Sequence, residues 1–214
     1  MMPPPAAATP PRPMRVLGAI LAGGQSSRFG SDKAEAPLGA KRLIDHVAAA
    51  LRPQVDALIV AGGPSRAGFT CVPDRPAPGL GPLGGLNAAL HEAARLGFDW
   101  VLTAPCDAAR LPADLARRLQ QGLAKQGSAK QGPGESPAAY AHADGRDHPT
   151  FGLWSATLAP TLENWLATER PARERAIRRW AATVGAIAAP LPHGSIANIN
   201  TPEDLAALGD ALCR

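Results

Sequence analysis

Apolar residues occur in two patterns along the chain: short continuous runs, and longer segments with helical spacing. The run at 16–22 has the length of a strand and lacks a 3.6-residue period, which favours a parallel strand buried on both faces. A segment with helical spacing follows at 41–51, and a second apolar run ends at Gly62 and Gly63. This strand–helix–strand order predicts an α/β fold built on a parallel sheet.

The same patterns predict the remaining elements. Strands are expected at 57–61, 69–72 and 98–107, with a hairpin formed by 138–142 and 148–154. Helices are expected at 41–51, 82–96, 112–121, 158–166 and 172–182. A last helix begins after Thr201, a capping residue followed by a proline and two acids. The low-complexity stretch 122–137 predicts a surface loop.

Length and composition favour one folded domain. Of the 214 residues, 45% are hydrophobic, which suffices for one core, so we expect a single domain over 15–214. The proline-rich segment 1–14 predicts a disordered tail without a signal-peptide pattern. No apolar run approaches the roughly 18 residues of a membrane span, and three cysteines without ligand spacing indicate reduced thiols. We therefore expect a cytoplasmic protein without membrane association.

The charge balance bears on the partners. The net charge of +4, from 22 basic and 18 acidic residues, is mild for a protein that binds a nucleic acid. A local basic patch would still attract a small polyanion. No nucleic-acid partner is expected.

The segment directly after the first strand has the composition of a phosphate-binding loop. Gly23 and Gly24 let the backbone turn without a Cβ, so an anion can approach the amide groups. Hydroxyl donors and positive charges for that anion follow at Ser26, Ser27, Arg28 and Lys33. The spacing differs from a Walker A loop, which requires a lysine directly after its second glycine.

A second glycine motif, at Gly79, Gly81 and Gly84, satisfies the dinucleotide fingerprint. However, no solid strand precedes it, and Pro82 lies inside it. We therefore prefer a loop that leads into the helix predicted at 82–96, with Pro82 in its first turn. The alternative interpretation, a dehydrogenase that binds NAD, is supported by this motif alone.

An acid stands at the end of the strand predicted at 98–107. Open parallel sheets bind ligands beyond the carboxyl ends of their strands, where Asp107 and the loop after the first strand would both lie. Aspartates at such positions also serve as turn or cap residues. Next to a triphosphate-binding loop, we favour Asp107 as a ligand of Mg²⁺, because a triphosphate needs a hard cation held by a carboxylate.

Several motifs, taken in order, resemble those of one family. They are Leu-Ala-Gly-Gly at 21–24, Arg28 with Asp32-Lys33, Gly81-Pro82-Leu83, Cys106-Asp107, Arg146-Asp147-His148-Pro149 and the ending at 198–205. Over residues 15–210 the chain is similar to the molybdenum cofactor guanylyltransferases. The resemblance implies a three-layer α/β sandwich with a mostly parallel, Rossmann-like sheet of the nucleotide-diphospho-sugar transferase type. It also implies transfer of GMP from GTP to the terminal phosphate of Mo-molybdopterin, with release of pyrophosphate.

The resemblance also assigns residues. It implies catalysis by Arg28, Lys33 and Asp107, with Mg²⁺ on Asp107. It implies nucleotide binding by Leu21, Ala22, Gly23, Gly24, Lys33, Asp74, Gly81 and Asp107. Of these, Asp74 would face guanine, whose N1–H and exocyclic amine can both donate to one carboxylate. The pterin side would include His148, Pro149, Asn198 and Asn200, although Asn200 could instead cap the last helix and His148 could brace the hairpin.

Other activities share parts of this pattern. A molybdopterin cytidylyltransferase or a sugar-phosphate nucleotidyltransferase would use a similar loop, but Leu-Ala-Gly-Gly rather than Leu-Ala-Ala-Gly favours GTP. A non-catalytic module that binds GTP or delivers the cofactor is a further alternative. Molybdoenzymes or their chaperones are candidate partners. The chain departs from the family at Ala109, where a proline is frequent, and around Ala61 and Gly62, where an asparagine is frequent.

Overall fold

The strands of the protein form one large sheet and two short pairs. The computed structural model describes residues 14–23, 32–127, 136–168 and 175–199, together with 201, 203 and 204. In chain order the strands are β1 (Val16–Leu21), β2 (Pro37–Leu38), β3 (Lys41–Arg42), β4 (Ala57–Ala61), β5 (Cys71–Val72), β6 (Trp100–Pro105), β7 (Ala108–Arg110), β8 (Ala138–Ala143), β9 (Arg146–Ser155), β10 (Ile187–Pro190) and β11 (Ala197–Asn198).

The large sheet has seven strands in the order β10-β8-β9-β6-β1-β4-β5. Only β9 runs antiparallel to its two neighbours in this sheet. The strand β1 therefore lies between β6 and β4, and the carboxyl ends of the parallel strands share one edge. The short strands pair as β2 with β3 and as β7 with β11.

Helices cover both faces of the sheet. They are α1 (Leu43–Leu51), α2 (Pro82–Leu96), α3 (Leu115–Gly127), α4 (Ala159–Ala167) and α5 (Ile177–Thr183). Alternate residues of β1 point to opposite faces: Val16 and Ile20 pack in the cluster that contains residues of α1 and α3. Leu17 and Leu21 pack in the cluster that contains residues of α2, α4 and α5. The predicted three-layer α/β sandwich with a mostly parallel sheet is confirmed.

The elements predicted at 57–61 and 82–96 have these bounds in the structure, and the predicted hairpin is present as β8 and β9. The helix expected at 41–51 begins later, because residues 41–42 pair with β2. The cap predicted at Thr201 is also present. Its Oγ1 accepts from the backbone N of Asp204 at 3.2 Å, and the Asp204 carboxylate accepts from the N of Thr201 at 3.0 Å.

The prediction of a loop from residue 122 onwards is wrong for its first part, because α3 continues to Gly127. Leu115 and Leu119 are fully buried, and Leu123 packs against the same cluster, so an apolar stripe holds the helix against the sheet. Gly122 lies directly over Ala189 of β10, where a Cβ would stand 2.8 Å from the Ala189 Cβ. Close approach to β10 thus favours glycine at a position that the sequence presents as loop-like.

Parts of other predictions lie outside the described residues. These are the tail at 1–13, the loop at 128–135, the start of the helix expected at 172–182, and most of the last helix. In the part of the chain that the structure describes, no helix is long and apolar enough to cross a membrane.

A buried hydroxyl joins β6 to the antiparallel strand β9. Thr103 Oγ1 donates to the Gly152 carbonyl at 3.2 Å and accepts from the Gly152 N and the Trp154 Nε1, each at 3.1 Å.

We expect Thr103→Val to lower the free energy of unfolding by about 1–3 kcal/mol, because it leaves a buried indole N–H without an acceptor. Urea denaturation measures this loss. The matched variant Thr183→Val removes an exposed hydroxyl of α5, and an equal loss there would contradict the assignment.

Candidate active site

The segment that leaves β1 is held between its two neighbouring strands. The Ala22 N donates to the Ala61 carbonyl at 2.9 Å, and the Cys106 N donates to the Leu21 carbonyl at 3.0 Å. The predicted nucleotide-binding residues Leu21, Ala22 and Gly23 therefore lie at the carboxyl edge of the sheet, with the tips of β4 and β6 on either side. Two further predicted residues, Gly24 and Arg28, lie outside the described residues.

Lys33 and Asp107, which were predicted to act together, are in contact. The Lys33 Nζ lies 2.8 Å from the Asp107 Oδ2, and the two side chains are 12% and 22% exposed. Asp107 occupies the turn between β6 and β7. Its second oxygen, Oδ1, is buried and has no hydrogen-bond partner among the described residues. The carboxylate thus has one oxygen on a lysine and one available to a ligand.

The C-terminal part of the chain reaches the same turn. The Ile199 N donates to the Asp107 carbonyl at 2.9 Å, and Asn198 pairs with Ala108 in the β7–β11 ladder. The predicted pterin-side residue Asn198 is therefore adjacent to the turn that carries Asp107 and is exposed. Its companion in the prediction, Asn200, lies outside the described residues.

His148 and Pro149 lie on β9, near the same edge of the sheet. His148 stands opposite Ala141 of β8, and its ring meets the Phe151 ring edge-on, with centroids 6.3 Å apart. The His148 Nε2 is buried without a hydrogen-bond partner in the described part of the chain. These contacts fit the interpretation that His148 braces the hairpin, and a contact with the pterin stays a prediction.

Asp74, which follows β5, packs against three glycines. A Cβ on Gly62 would lie 2.5 Å from the Asp74 Oδ1, and one on Gly23 would lie 2.9 Å from the same oxygen. A Cβ on Gly84 would lie 3.0 Å from the Asp74 Cγ. The carboxylate fits here only because these three positions lack side chains. This contact also favours glycine at position 62, where φ is +80°.

The surroundings of Asp74 disfavour its charge. Burial raises the pKa of this carboxyl group above its ordinary value, and a hydrogen bond from the Gly79 backbone acts against that rise. The Asp74 Oδ1 is buried and lacks a hydrogen-bond partner among the described residues. A ligand that presents N–H donors to this carboxylate would offset the cost of its burial.

A second set of polar side chains fixes the loop that carries Asp74. The Arg75 N donates to the Gly84 carbonyl at 3.2 Å, and the Arg75 guanidinium lies 3.5 Å from the Glu163 carboxylate. The fully buried Asn87 donates its amide to the same carboxylate. Sequence reasoning missed this set, although a single asparagine in the apolar stretch 83–90 is a signal for it.

Gly81, another predicted nucleotide-binding residue, forms the N-cap of α2, and Pro82 begins that helix. Its carbonyl accepts from the Gly84 N at 3.1 Å. Because Gly84 touches Asp74, Gly81 belongs to the same neighbourhood as the predicted base-recognition carboxylate. The prediction that 79–84 is a loop leading into a helix is confirmed.

The thiol of Cys106, next to Asp107, is not suited to nucleophilic catalysis. Burial, together with the charge of Asp107, raises the pKa of the Cys106 thiol to about 12, so the thiol stays neutral near pH 7 and is a poor nucleophile.

Within the described ranges, no group of three or more histidine, cysteine or acidic side chains could hold a metal ion. Mg²⁺ is typically bound by one or two carboxylates together with substrate phosphates and water, so it does not require such a group.

A mostly parallel sheet whose carboxyl edge carries Gly23 and the Lys33–Asp107 pair is typical of α/β proteins that bind nucleotides beyond the ends of their strands. The family model described as "MobA-like NTP transferase domain" matches residues 18–185. The chain is 40% identical over 201 residues to the molybdenum cofactor guanylyltransferase of Rhizobium leguminosarum bv. trifolii, covering 89% of this chain and 90% of that protein. It is 41% identical over 198 residues to the molybdenum cofactor guanylyltransferase of Cereibacter sphaeroides, covering 90% and 95%. The chain belongs to the molybdenum cofactor guanylyltransferase family of MobA-like transferases.

A solved structure has the same fold. The crystal structure of molybdopterin-guanine dinucleotide biosynthesis protein A from Archaeoglobus fulgidus matches with a TM-score of 0.62 at 20% identity, covering 92% of this chain and 98% of that one. The fold and the family expected from the sequence are thus confirmed.

The raised pKa of Asp74 generates a prediction about stability. Because the folded pKa lies above the ordinary value of 3.8, the folded protein binds this proton more tightly than the unfolded chain does. Stability from this group is therefore lost as the pH rises through the folded pKa. We expect Asp74→Asn to melt at a higher temperature than the wild type at pH 7, with the difference disappearing below pH 3.8. Thermal denaturation across pH measures it, and a lower melting temperature at pH 7 would contradict it.

Proposed function

We propose that this chain transfers GMP from GTP to the terminal phosphate of Mo-molybdopterin and releases pyrophosphate. The observation that carries the proposal concerns two acids at the carboxyl edge of the sheet, Asp74 after β5 and Asp107 after β6. Each keeps one buried oxygen without a hydrogen-bond partner among the described residues. Buried acceptors are normally satisfied, so an oxygen left open at a ligand-binding edge indicates a missing donor or cation.

Asp74 supplies the selection of the base. Guanine presents the N1–H and the exocyclic amine side by side, and a single carboxylate can accept from both. Uracil, cytosine and adenine cannot present this pair of donors. The contact of Asp74 with Gly23 brings the carboxylate against the turn in which the nucleotide would lie. The relatives named as guanylyltransferases support this assignment.

Asp107 and Lys33 supply charge stabilisation for the phosphates. The available Oδ1 of Asp107 suits Mg²⁺, and the positive charge of Lys33 lies beside it. Bound there, Mg²⁺ would neutralise charge on the phosphate oxygens. Lys33 and the amides after β1 orient the triphosphate for in-line displacement, and Arg28 remains a predicted contributor from the sequence.

The reaction requires no general base from the protein. A phosphate monoester has a second pKa of about 6, so the attacking phosphate of Mo-molybdopterin is largely ionised near neutral pH. Its oxygen attacks the α-phosphorus of GTP, the bond to the pyrophosphate breaks, and the pyrophosphate leaves in line. The neutral Cys106 thiol takes no part.

The acceptor would lie on the side of Asp107 opposite to Asp74. Exposed Asn198 beside Asp107, and the segment 146–149 on β9, supply polar groups for the pterin there. Residence in the cytoplasm, and transfer of the product to molybdoenzymes or their chaperones, complete the proposal. The free thiols of Cys71 and Cys106 support a reducing compartment.

Nucleotide choice tests the proposal directly. Purified protein is incubated with Mg²⁺, Mo-molybdopterin and either GTP or CTP, and the dinucleotide and pyrophosphate are quantified. We expect product with GTP, and we expect Asp74→Asn to lower kcat/KM for GTP about 10- to 100-fold, because hydrogen bonds to a charged acceptor contribute roughly 1.5–3 kcal/mol. A preference for CTP in the wild type would overturn the assignment of the base.

The role of Asp107 has a separate test. Asp107→Asn keeps the shape of the side chain but removes its charge, and we expect pyrophosphate release to fall about 100-fold or more. Asp114→Asn is the matched control, because Asp114 forms surface ion pairs with Arg117 and Arg118, which contribute little. Unchanged release in Asp107→Asn would contradict the role of Asp107, and no release by the wild type would favour a binding module without catalysis.

A further inference from the structure

Arg66, in the loop between β4 and β5, is a buried charge near the site. Its side chain is only 2% exposed. The guanidinium donates through both terminal nitrogens to the Asp32 carboxylate, at 2.7 and 3.1 Å, and to Glu35 Oε1 at 3.0 Å. No motif marks this arginine in the sequence. An arginine desolvated to this degree needs such partners, so the geometry is fixed rather than incidental.

The partner of Arg66 is the residue directly before Lys33. Asp32 also caps the short 3-10 turn Lys33–Glu35, since its Oδ1 accepts from the Ala34 N at 3.1 Å. Arg66 therefore holds both ends of this turn, through Asp32 and Glu35. The Lys33 side chain leaves the turn between them and reaches Asp107, 2.8 Å away.

Arg66 also lies beside the segment that leaves β1. A Cβ built on Gly63 would lie 3.5 Å from an Arg66 terminal nitrogen and 2.8 Å from the Ala22 carbonyl oxygen. The guanidinium is thus close to the predicted nucleotide turn as well as to the lysine turn. One buried side chain from the β4–β5 loop thus holds the lysine turn and lies near the segment that leaves β1.

We propose that Arg66 is a positioning residue for nucleotidyl transfer, which fixes Lys33 against Asp107 by holding Asp32. The inference rests on the proposed function for its kinetic consequence, but not for its geometry. A lysine side chain is flexible, so a fixed backbone at its base decides where its ammonium group lies. Misplacement of a phosphate-binding group by about 1 Å is enough to lower the rate about 100-fold.

A second arginine provides a matched control. Arg42 binds Glu35 at 3.3 Å from the other side, and it also binds Asp45 and the Ala67 carbonyl, at 2.8 and 3.2 Å. The contacts found for Arg42 among the described residues do not include Asp32. Arg42→Met therefore removes a similar charge from the same network without releasing the residue that precedes Lys33.

The kinetic test uses a double-mutant cycle. We expect Arg66→Met to lower kcat about 10- to 100-fold with a smaller change in KM for GTP. Arg66→Lys should restore part of the loss, because one ammonium group can hold Asp32 but not both carboxylates. Combined with Lys33→Met, Arg66→Met should add less than about twofold, since both act through one group. Fully additive losses, or an equal loss in Arg42→Met, would overturn the proposal.

A second readout does not need GTP. The Lys33 amine, paired and 12% exposed, should react slowly with acetic anhydride, and mass spectrometry can follow its acetylation. We expect labelling several-fold faster in Arg66→Met and unchanged in Arg42→Met. Asp32→Asn, which retains a capping side chain, should give the same increase and replaces Arg66→Met if that variant does not fold. Unchanged labelling in both variants would overturn the placement.

These readouts distinguish a failure of the proposed function from a failure of the positioning role of Arg66. If the wild type makes no dinucleotide while labelling of Lys33 responds to Arg66, the proposed function fails and the positioning contact stands. If the wild type is active but neither labelling nor kcat responds to Arg66, the function stands and the positioning role is overturned.

Discussion

The contact between the Lys33 ammonium and the Asp107 carboxylate joins two parts of the chain on which the site depends. One partner stands at the end of the signature loop and the other at the tip of a neighbouring strand. Because β1 lies between β6 and β4, Gly23 and Lys33 on either side of the signature loop meet acids that follow neighbouring strands. Asp107 follows β6, which lies on one side of β1. Asp74 follows β5, which lies beyond β4 on the other side of β1. The strand order thus places Asp107 and Asp74 on opposite sides of the segment that leaves β1.

The burial of the Asp74 carboxylate has an energetic cost. Asp74 is surrounded by glycines and loop backbone, and burial raises its pKa. A neutral side chain of the same shape would avoid this cost. The surrounding polar contacts of Arg75, Asn87 and Glu163 show how the fold keeps the loop in place despite this cost.

The sequence allowed the central features to be predicted because they depend on local patterns. The apolar run of β1 predicts a strand, and the proline at the start of α2 predicts the first turn of a helix. Lys33 and Asp107 belong to motifs with fixed spacing. The contacts that support them are not local. Arg66 meets Asp32 across more than thirty positions, and neither residue's neighbours indicate the pairing. The predicted length of helix α3 is too short because its last turns have the composition of a low-complexity loop. Burial against β10 determines their conformation.

The pairing of β11 with β7 has a consequence for the order in which the site is completed during synthesis. The segment with Lys33, Asp74 and Asp107 leaves the ribosome before Ile199, the residue that follows β11 and donates to the Asp107 carbonyl. The turn that carries Asp107 therefore receives this backbone partner only after almost the whole chain has been made.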